Sequence, residues 1–502
     1  MPDASPVPTP PDLSEPTLTT RQLFFRVFPS IVLAMFLAAI DNTIVATALP
    51  NIAASLGDVE RVSWVVVSYL MATTVAAAVY GRLGDALGRK PLLLVSLAVF
   101  IIASLLCALA PTMLLLVGAR VLQGIGGGGL MTLSQALVGE VVPPRERGKI
   151  QGYMAGTFMM ASTFGPVAGG WLTQGFGWRA VFLVNLPVGL VALYMAARLK
   201  TNARPTGRVR FDWLGLCLFT GFIVPLLLAL EQAQRITWSA ALPIAAWTAL
   251  AVACLWLLLR QEARSQSPLI PVKLLRHPAI WRADAMGACV GATIIGAVTF
   301  MPIYLQAVRG AEPAHIGLLM LPLTAGIALG AMFTGRMISI TGRTAIFPSI
   351  GQGIVTLCLI VLAIGTTSLP MSALPWLLLV LSMAIGSTMP VVNVTVQAAA
   401  GPQNLGAASA SVQFTRSIGA ALGTATVGAV LFGVLAMGDP STARTFANVV
   451  ERGPDILMHM APEARTALAL EIADAFRAAF LCLAAFSAGA MLLAWSQPLR
   501  RI

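Results

Sequence analysis

Charge is scarce in this chain. Only 10% of its 502 residues are Asp, Glu, Lys or Arg, and 57% are hydrophobic; a soluble protein carries about 25% charged residues. Many windows of about 20 residues hold one charge or none, enough to cross a bilayer as helix. This excludes an ordinary soluble domain and implies an all-α polytopic membrane protein. Histidine is scarcer still. His277, His315 and His459 are the whole set, near span ends or in loops, so no metal cluster is expected. A membrane-embedded enzyme would need His, Asp or Glu gathered at a membrane surface, and the sequence offers no such cluster. The six cysteines (Cys107, Cys217, Cys254, Cys289, Cys358, Cys482) fall inside apolar runs with no paired spacing. They read as small core residues, not a disulfide framework. Gly124, Gly126 and Gly129 spell GxGxxG, but no strand precedes them, so a dinucleotide site is excluded. The run GDALGRK lacks the Gly-Lys-Ser/Thr end of a phosphate loop. No cofactor is expected.

What is present in quantity is glycine, 45 residues, and proline, 32. In apolar spans these suit close helix packing and broken helices. The glycines also repeat. GRLGDALGRKP (81–91) returns as GRMISITGR (335–343), 254 residues on; Gly165 and Gly169 answer to Gly419 and Gly423, and Gly152 to Gly406, at the same offset. This predicts a duplicated membrane unit, typical of secondary transporters. Fourteen spans are expected, at about 27–49, 62–82, 92–110, 113–138, 150–172, 179–198, 213–231, 240–260, 282–305, 315–338, 346–366, 373–399, 405–436 and 473–496. The offset divides them as 6 + 2 + 6. A disordered cytoplasmic tail (1–26) precedes an N-terminal six-helix half (27–198). A linker with two extra helices (199–281) leads to the C-terminal half (282–502), which has a long outer loop at 437–472. In that loop APEARTALALEIADAFRAAF is expected to run as a surface helix into the last span, with Pro462 near its start.

The net charge of +12 does not indicate nucleic acid, because the basic residues cluster in alternate loops. With both termini cytoplasmic, 22 of the 32 Lys and Arg fall on inner segments and 8 on outer ones, a strong positive-inside bias. Arg120 and Arg416 remain, both deep in spans.

Asp41 is the one acidic residue the sequence places deep in a span. A carboxylate there costs about 2.5–3.5 kcal/mol on insertion scales, so it is paired or protonated for part of its cycle. Asp41 lies nine residues before Pro50, and Arg120 about eight residues into the fourth span; both then sit ~12 Å below the outer surface. A contact is expected, direct or through water. It serves either as a proton site, with Arg120 promoting release, or as a static ion pair that fixes packing. Helical periodicity puts Gln123, Gly124 and Gly127 on the face of Arg120.

In combination the motifs resemble the major facilitator superfamily, and within it the fourteen-helix drug:proton antiporters of the quaternary-ammonium and multidrug exporter type. GRLGDALGRKP is similar to the superfamily's loop 2–3 signature, ARVLQGIGGG (119–128) to that of the fourth helix, GPVAGG (165–170) to the export signature of the fifth, and IDNTIVATALPNIA (40–53) to the first-helix signature of the fourteen-helix branch. The resemblance covers the chain after residue 26. Ala161 departs from the pattern where glycine is frequent, and Ser339 stands where Asp85 stands in the first loop copy.

The resemblance implies proton coupling by Asp41 and Arg120. It implies a latch of Gly81, Arg82, Asp85, Gly88, Arg89 and Glu140 that locks the outward-facing state, with simple charge anchoring of topology as the other reading. Gly165, Pro166, Gly169 and Gly170 would form a sealing antiporter contact, or a packing kink. Arg416 has no acidic partner in the tenth or thirteenth span; Gln413, Gln397, Asn393, lipid or substrate are candidates. The substrate cavity is expected to draw on Met35, Tyr69, Gln123, Phe158, Met159, Tyr304 and Phe414 together with those amides and Arg416, although core packing would suit the Met and aromatic members equally. The expected protein is a monomeric antiporter of the bacterial inner (plasma) membrane, exporting lipophilic small molecules in exchange for protons; the alternative is a dedicated exporter of one endogenous metabolite or antibiotic in the same fold.

Overall fold

A computed structural model of the chain describes residues 20–58, 61–199, 211–233, 241–265, 268–269, 272–437, 442, 445–446 and 462–501. Fourteen long helices account for nearly all of them. We number these α1 (Thr20–Leu56), α2 (Trp64–Leu87), α3 (Arg89–Leu109), α4 (Met113–Val141), α5 (Pro144–Phe176), α6 (Ala180–Ala197), α7 (Trp213–Ala233), α8 (Ala241–Arg264), α9 (Pro278–Ala307), α10 (Pro313–Thr341), α11 (Ile346–Ile364), α12 (Leu374–Ala400), α13 (Leu405–Met437) and α14 (Pro462–Trp495). The sixth and twelfth are interrupted for one residue, at Val184 and Ser387. Among the described residues the only β feature is an isolated bridge between Arg343 and Arg501.

Thirteen of the fourteen are long and apolar enough to cross a membrane by length and composition. The exception is α5, whose 33 residues span about 50 Å. It is rich in glycine and begins with PRERGK. Polar residues of such a helix face the bundle, so uniform apolarity is not required. Helix α1 starts at Thr20, inside the segment 1–26 that the sequence assigns to a tail; residues 1–19 lie outside the described residues. The stretch RQLFFRVF carries two arginines and continues the helix N-terminally of the span itself, which begins at Phe28. In the 437–472 loop, α14 begins at Pro462 and continues unbroken to Trp495; most of the rest of that loop lies outside the described residues.

Helices α1–α6 pack as one bundle and α9–α14 as another, each around its own apolar core. Helices α7 and α8 pack on each other and reach α2 and α13, where Phe219, Ile223 and Leu227 meet Met71, Ala78, Phe414 and Ile418. The two bundles meet chiefly through α2 against α13 and α5 against α10.

The duplicated glycines have matching structural roles. Gly88 and Gly342, both at positive φ (96° and 67°), end α2 and α10, a conformation glycine adopts without steric cost. Gly81 packs on the Gly406 backbone, and Gly335 on the Gly148 backbone. Gly165 and Gly169 bring α5 onto α1, as Gly419 and Gly423 bring α13 onto α9. A β-carbon at Gly335 would overlap the Gly148 carbonyl, with no flexible side chain to give way. Gly335→Val is therefore expected to hold the bundles apart at this end while leaving the helices intact. In a background without other cysteines, maleimide labelling of Ile338→Cys, a residue buried against Gly148, should become several-fold faster. Unchanged labelling would show that this contact is not a closing seal.

Candidate functional site

The first candidate centre lies within the first bundle. Asp41 on α1 and Arg120 on α4 are both fully buried. Arg120 Nη1 donates to Asp41 Oδ2 at 2.6 Å and to Gln123 Oε1 at 2.7 Å, and Nε donates to the Val65 carbonyl at 2.9 Å. The guanidinium lies 4.1 Å from the centre of the Tyr69 ring, a favourable cation–π distance. The other carboxylate oxygen, Oδ1, accepts from Gln123 Nε2 at 2.9 Å and from Asn185 Nδ2 at 2.6 Å. Ser104 Oγ accepts from the same Gln123 amide at 2.8 Å. Four helices, α1, α3, α4 and α6, thus contribute hydrogen-bonding side chains to one network, and α2 adds the Tyr69 ring and the Val65 carbonyl.

The sequence foresaw Asp41, Arg120 and Gln123 as neighbours but passed over Asn185 and Ser104. Each is an isolated polar residue in an apolar span, at the level where the carboxylate needs donors. The α4 glycines let this happen. A β-carbon at Gly124 would lie 2.6 Å from the Tyr69 carbonyl, and one at Gly127 would lie 2.5 Å from the Tyr69 hydroxyl, so only glycines admit α2 this close.

The second centre ties the two bundles together. Asp85, near the end of α2, accepts from the Gly406 N–H at 2.7 Å and the Ala407 N–H at 2.9 Å. Those amides belong to the first turn of α13, where backbone N–H groups lack partners within the helix and the helix dipole favours an anion. Arg89 donates to Asp85 Oδ1 at 2.7 Å, to Glu140 Oε2 at 2.6 Å and to the Pro402 carbonyl at 3.2 Å. The predicted cluster of Asp85, Arg89 and Glu140 is therefore assembled, and its target is the N-terminus of α13. Gly81 backs the same contact, and Gly88 provides the turn. Arg82 Nε is buried without a hydrogen-bond partner. On the other side, Gln397 Nε2 donates to the Gln135 carbonyl at 3.0 Å, and Gln151 Nε2 to Gln135 Oε1 at 2.6 Å. The hydrogen bonds between bundles that the described residues show all lie at the end carrying Arg82, Arg89, Lys90, Arg145 and Arg147. In the second loop copy Ser339 supplies no carboxylate, and no matching link to α5 is found among the described residues.

GPVAGG divides in two. Gly165 and Gly169 pack against Thr43, Ile44 and Thr47 of α1 within the same bundle, and Thr43 Oγ1 donates to the Ala161 carbonyl at 3.0 Å. A β-carbon at Gly170 would meet nothing. Pro166 lies inside the continuous α5 helix.

The predicted cavity residues scatter. Tyr69 and Gln123 belong to the Asp41 network. Met35 is buried in the first bundle's core. Phe158 is exposed and Met159 half-buried on α5. Tyr304 is fully buried in the second bundle's core, its hydroxyl donating to the Thr366 carbonyl at 2.7 Å beside Phe476 and Phe480; it lines no cavity, because its polar tip is already satisfied. Asn393 donates within α12 to Met389. Phe414 meets Phe219 of α7 edge-on. Gln413 and Arg416 are half-buried on α13 and bonded to each other.

Asp41 is not the only buried carboxylate in a span. Asp284 on α9 is 4% exposed, and neither of its oxygens has a hydrogen-bond partner. By sequence it stands two residues inside the span expected at 282–305, close to the inner surface; packing of α13 and α12 against α9 covers it there. All six cysteines are free thiols.

The Major Facilitator Superfamily pattern matches residues 31–424. An uncharacterized MFS-type transporter of Mycobacterium tuberculosis (strain ATCC 25618 / H37Rv) is 34% identical over 464 residues, covering 91% of this chain and 67% of its own. Multidrug resistance protein 3 of Bacillus subtilis (strain 168) is 30% identical over 419 residues, with 82% and 81% covered. Among solved structures, the human organic anion transporter MFSD10 (TETRAN) superposes with a TM-score of 0.65 at 15% identity, covering 94% of this chain and 99% of that one. The proton:xylose symporter XylE superposes with a TM-score of 0.61 at 14% identity, covering 95% and 96%. These two show the fold.

Proposed function

The chain belongs to the major facilitator superfamily and is a multi-pass transporter, not an enzyme; from that premise we propose that it is a fourteen-helix proton-coupled antiporter, exporting lipophilic compounds from a bacterial cytoplasm. The observation that carries the coupling is the buried Asp41–Arg120 pair with its donors Gln123 and Asn185. A sealed carboxylate in a span is costly unless paired or protonated. Here protonation would release Arg120 and the two amides together. Carrying a proton and rearranging α1 against α4 and α6 then become one event.

Positive-inside bias makes the basic end cytoplasmic, with both termini on that side. The closure at that end makes the conformation outward-facing, held by Asp85 on α13. Alternating access rocks residues 27–198 against 282–502, with 199–281 as the linker. The chain acts as a monomer in the bilayer and uses protons alone as coupling species. Multidrug names among its relatives favour a broad substrate range; a dedicated exporter of one endogenous metabolite or antibiotic remains the second reading. A transport screen of lipophilic dyes in vesicles under an imposed proton gradient tests the proposal. Export of several unrelated dyes supports it, and export of none defeats it.

Charge selectivity follows from the same inventory. Among the described residues the spans of the second half contain one buried acid, Asp284, with Glu471 and Asp474 exposed near the start of α14, while Arg416 is the deep cation. Two like charges 4 Å apart at an effective dielectric near 20 repel by roughly 4 kcal/mol. A dicationic diamidine should therefore be exported far more slowly than a monocationic dye of similar size in the same vesicles. Equal rates would contradict this charge reading.

A further inference from the structure

Arg416 has work that neither coupling nor closure uses. It sits twelve residues into the 33-residue α13, within a span where an arginine is costly unless it is paired or solvated, and yet it has no ion pair among the described residues. Its one hydrogen bond runs from Nη2 to Gln413 Oε1 at 2.8 Å. The acid nearest along α9, Asp284, lies seven residues from Gly291, which touches the Arg416 stem, and neither of its oxygens has a hydrogen-bond partner.

The placement of the guanidinium follows from the faces of α13. Gly419 and Gly423 sit on α9, Phe414 and Ile418 on α7, and Gly406 and Ala410 on α2. Helical periodicity leaves Gln413 and Ser417 on the arc between the α9 and α2 contacts, while Ala420 lies against Gly291 of α9. Gln413 and Ser417 are half-buried, so neither α9 nor α2 closes fully over this arc. The Gln413 bond draws the guanidinium onto it. The stem has a built seat, since a β-carbon at Gly291 would lie 3.2 Å from Arg416 Cγ and 2.6 Å from its carbonyl oxygen. Asp41, by contrast, is sealed with all its acceptors engaged. The charge presented to the space between the bundles on α13 is therefore positive.

We propose that Arg416, held by Gln413 and seated on Gly291, is a binding site for a single carboxylate on an otherwise lipophilic molecule. Gln413 takes one of the two Nη2 hydrogens; the second still pairs with the N–H of Nε or Nη1 in the parallel fork that a carboxylate accepts. The neighbouring apolar surfaces suit a hydrophobic body. One cation balances one anionic charge, so the ligands bound at this site are monoanions, alongside the neutral and monocationic lipophiles that do not use it. This deepens the export reading by naming a substrate class, but binding can be measured whether or not transport occurs.

The test is calorimetric titration of the purified full-length protein with 1-naphthylacetate and with its neutral methyl ester. The wild type should bind the acid at least about tenfold more tightly than the ester, since hydrogen bonds to a charged group contribute about 1.5–3 kcal/mol. Arg416→Gln should lose that advantage and leave ester binding unchanged, which also shows that the variant is folded; Arg416→Lys should retain part of it. Equal binding of acid and ester by the wild type, no binding of either, or undiminished acid binding by Arg416→Gln would overturn the proposal. Failure of the export reading would appear separately, as dye transport absent from vesicles.

Discussion

Asp41→Asn is expected to reduce gradient-driven export to the level of protein-free vesicles while leaving substrate exchange across vesicles without a gradient. The carboxylate accepts from Arg120, Gln123 and Asn185 at 2.6–2.9 Å. An asparagine of the same shape cannot carry a proton, and its amide nitrogen cannot accept from any of the three. Removing one member of a buried ion pair also leaves the other charge uncompensated, typically at 3–5 kcal/mol. Some loss of thermal stability is therefore expected alongside the loss of coupling. Exchange without a gradient separates the two effects: a misfolded variant loses both activities, an uncoupled one only the driven activity. Driven export by Asp41→Asn at the wild-type rate would remove Asp41 from the mechanism.

Asp85→Asn is expected to open the basic end. The carboxylate holds two first-turn amides of α13 and the Arg89 guanidinium. Losing its charge weakens the interaction with the helix N-terminus by about 0.3–1 kcal/mol, or up to ~2 in a partly buried setting. A change of about 2 kcal/mol in the balance between closed and open forms is roughly thirtyfold in their ratio. Spin labels at Arg145 on α5 and Thr341 on α10, both exposed, report that ratio as a distance distribution. The variant should show a longer distance in a substantial fraction, with binding affinity for substrate little changed. A distribution like that of the wild type would leave Asp85 as a topological anchor alone.

The spans were legible because apolarity and loop charge fix them without tertiary information. Even α5, too polar by composition, was readable from its position between two charged loops. The Asp41–Arg120 contact was legible for a different reason: isolated opposite charges at equal depth have few alternatives. Asn185 and Ser104 escaped because one amide or hydroxyl in an apolar run has no spacing to mark it. The latch residues were visible as a charge cluster, but their target, the Gly406 and Ala407 amides, depends on the register between bundles, which no local pattern encodes. Tyr304 shows the limit of residue type as a guide. A tyrosine in a span suits a cavity or a core equally, and the Thr366 carbonyl decided for the core. The burial of Asp284, close to the inner surface by sequence, was not legible because depth along a helix says nothing of which helices cover it.

The central claim is that proton movement through Asp41 drives export. The most direct measurement follows dye and pH together in vesicles carrying the purified protein, with a gradient imposed and then collapsed by a protonophore. The account predicts dye accumulation against its gradient, paired with proton movement in the opposite direction; both should stop on collapse, and both should be absent in Asp41→Asn. Dye transport that continues unchanged after collapse, or runs equally well in the variant, would contradict it.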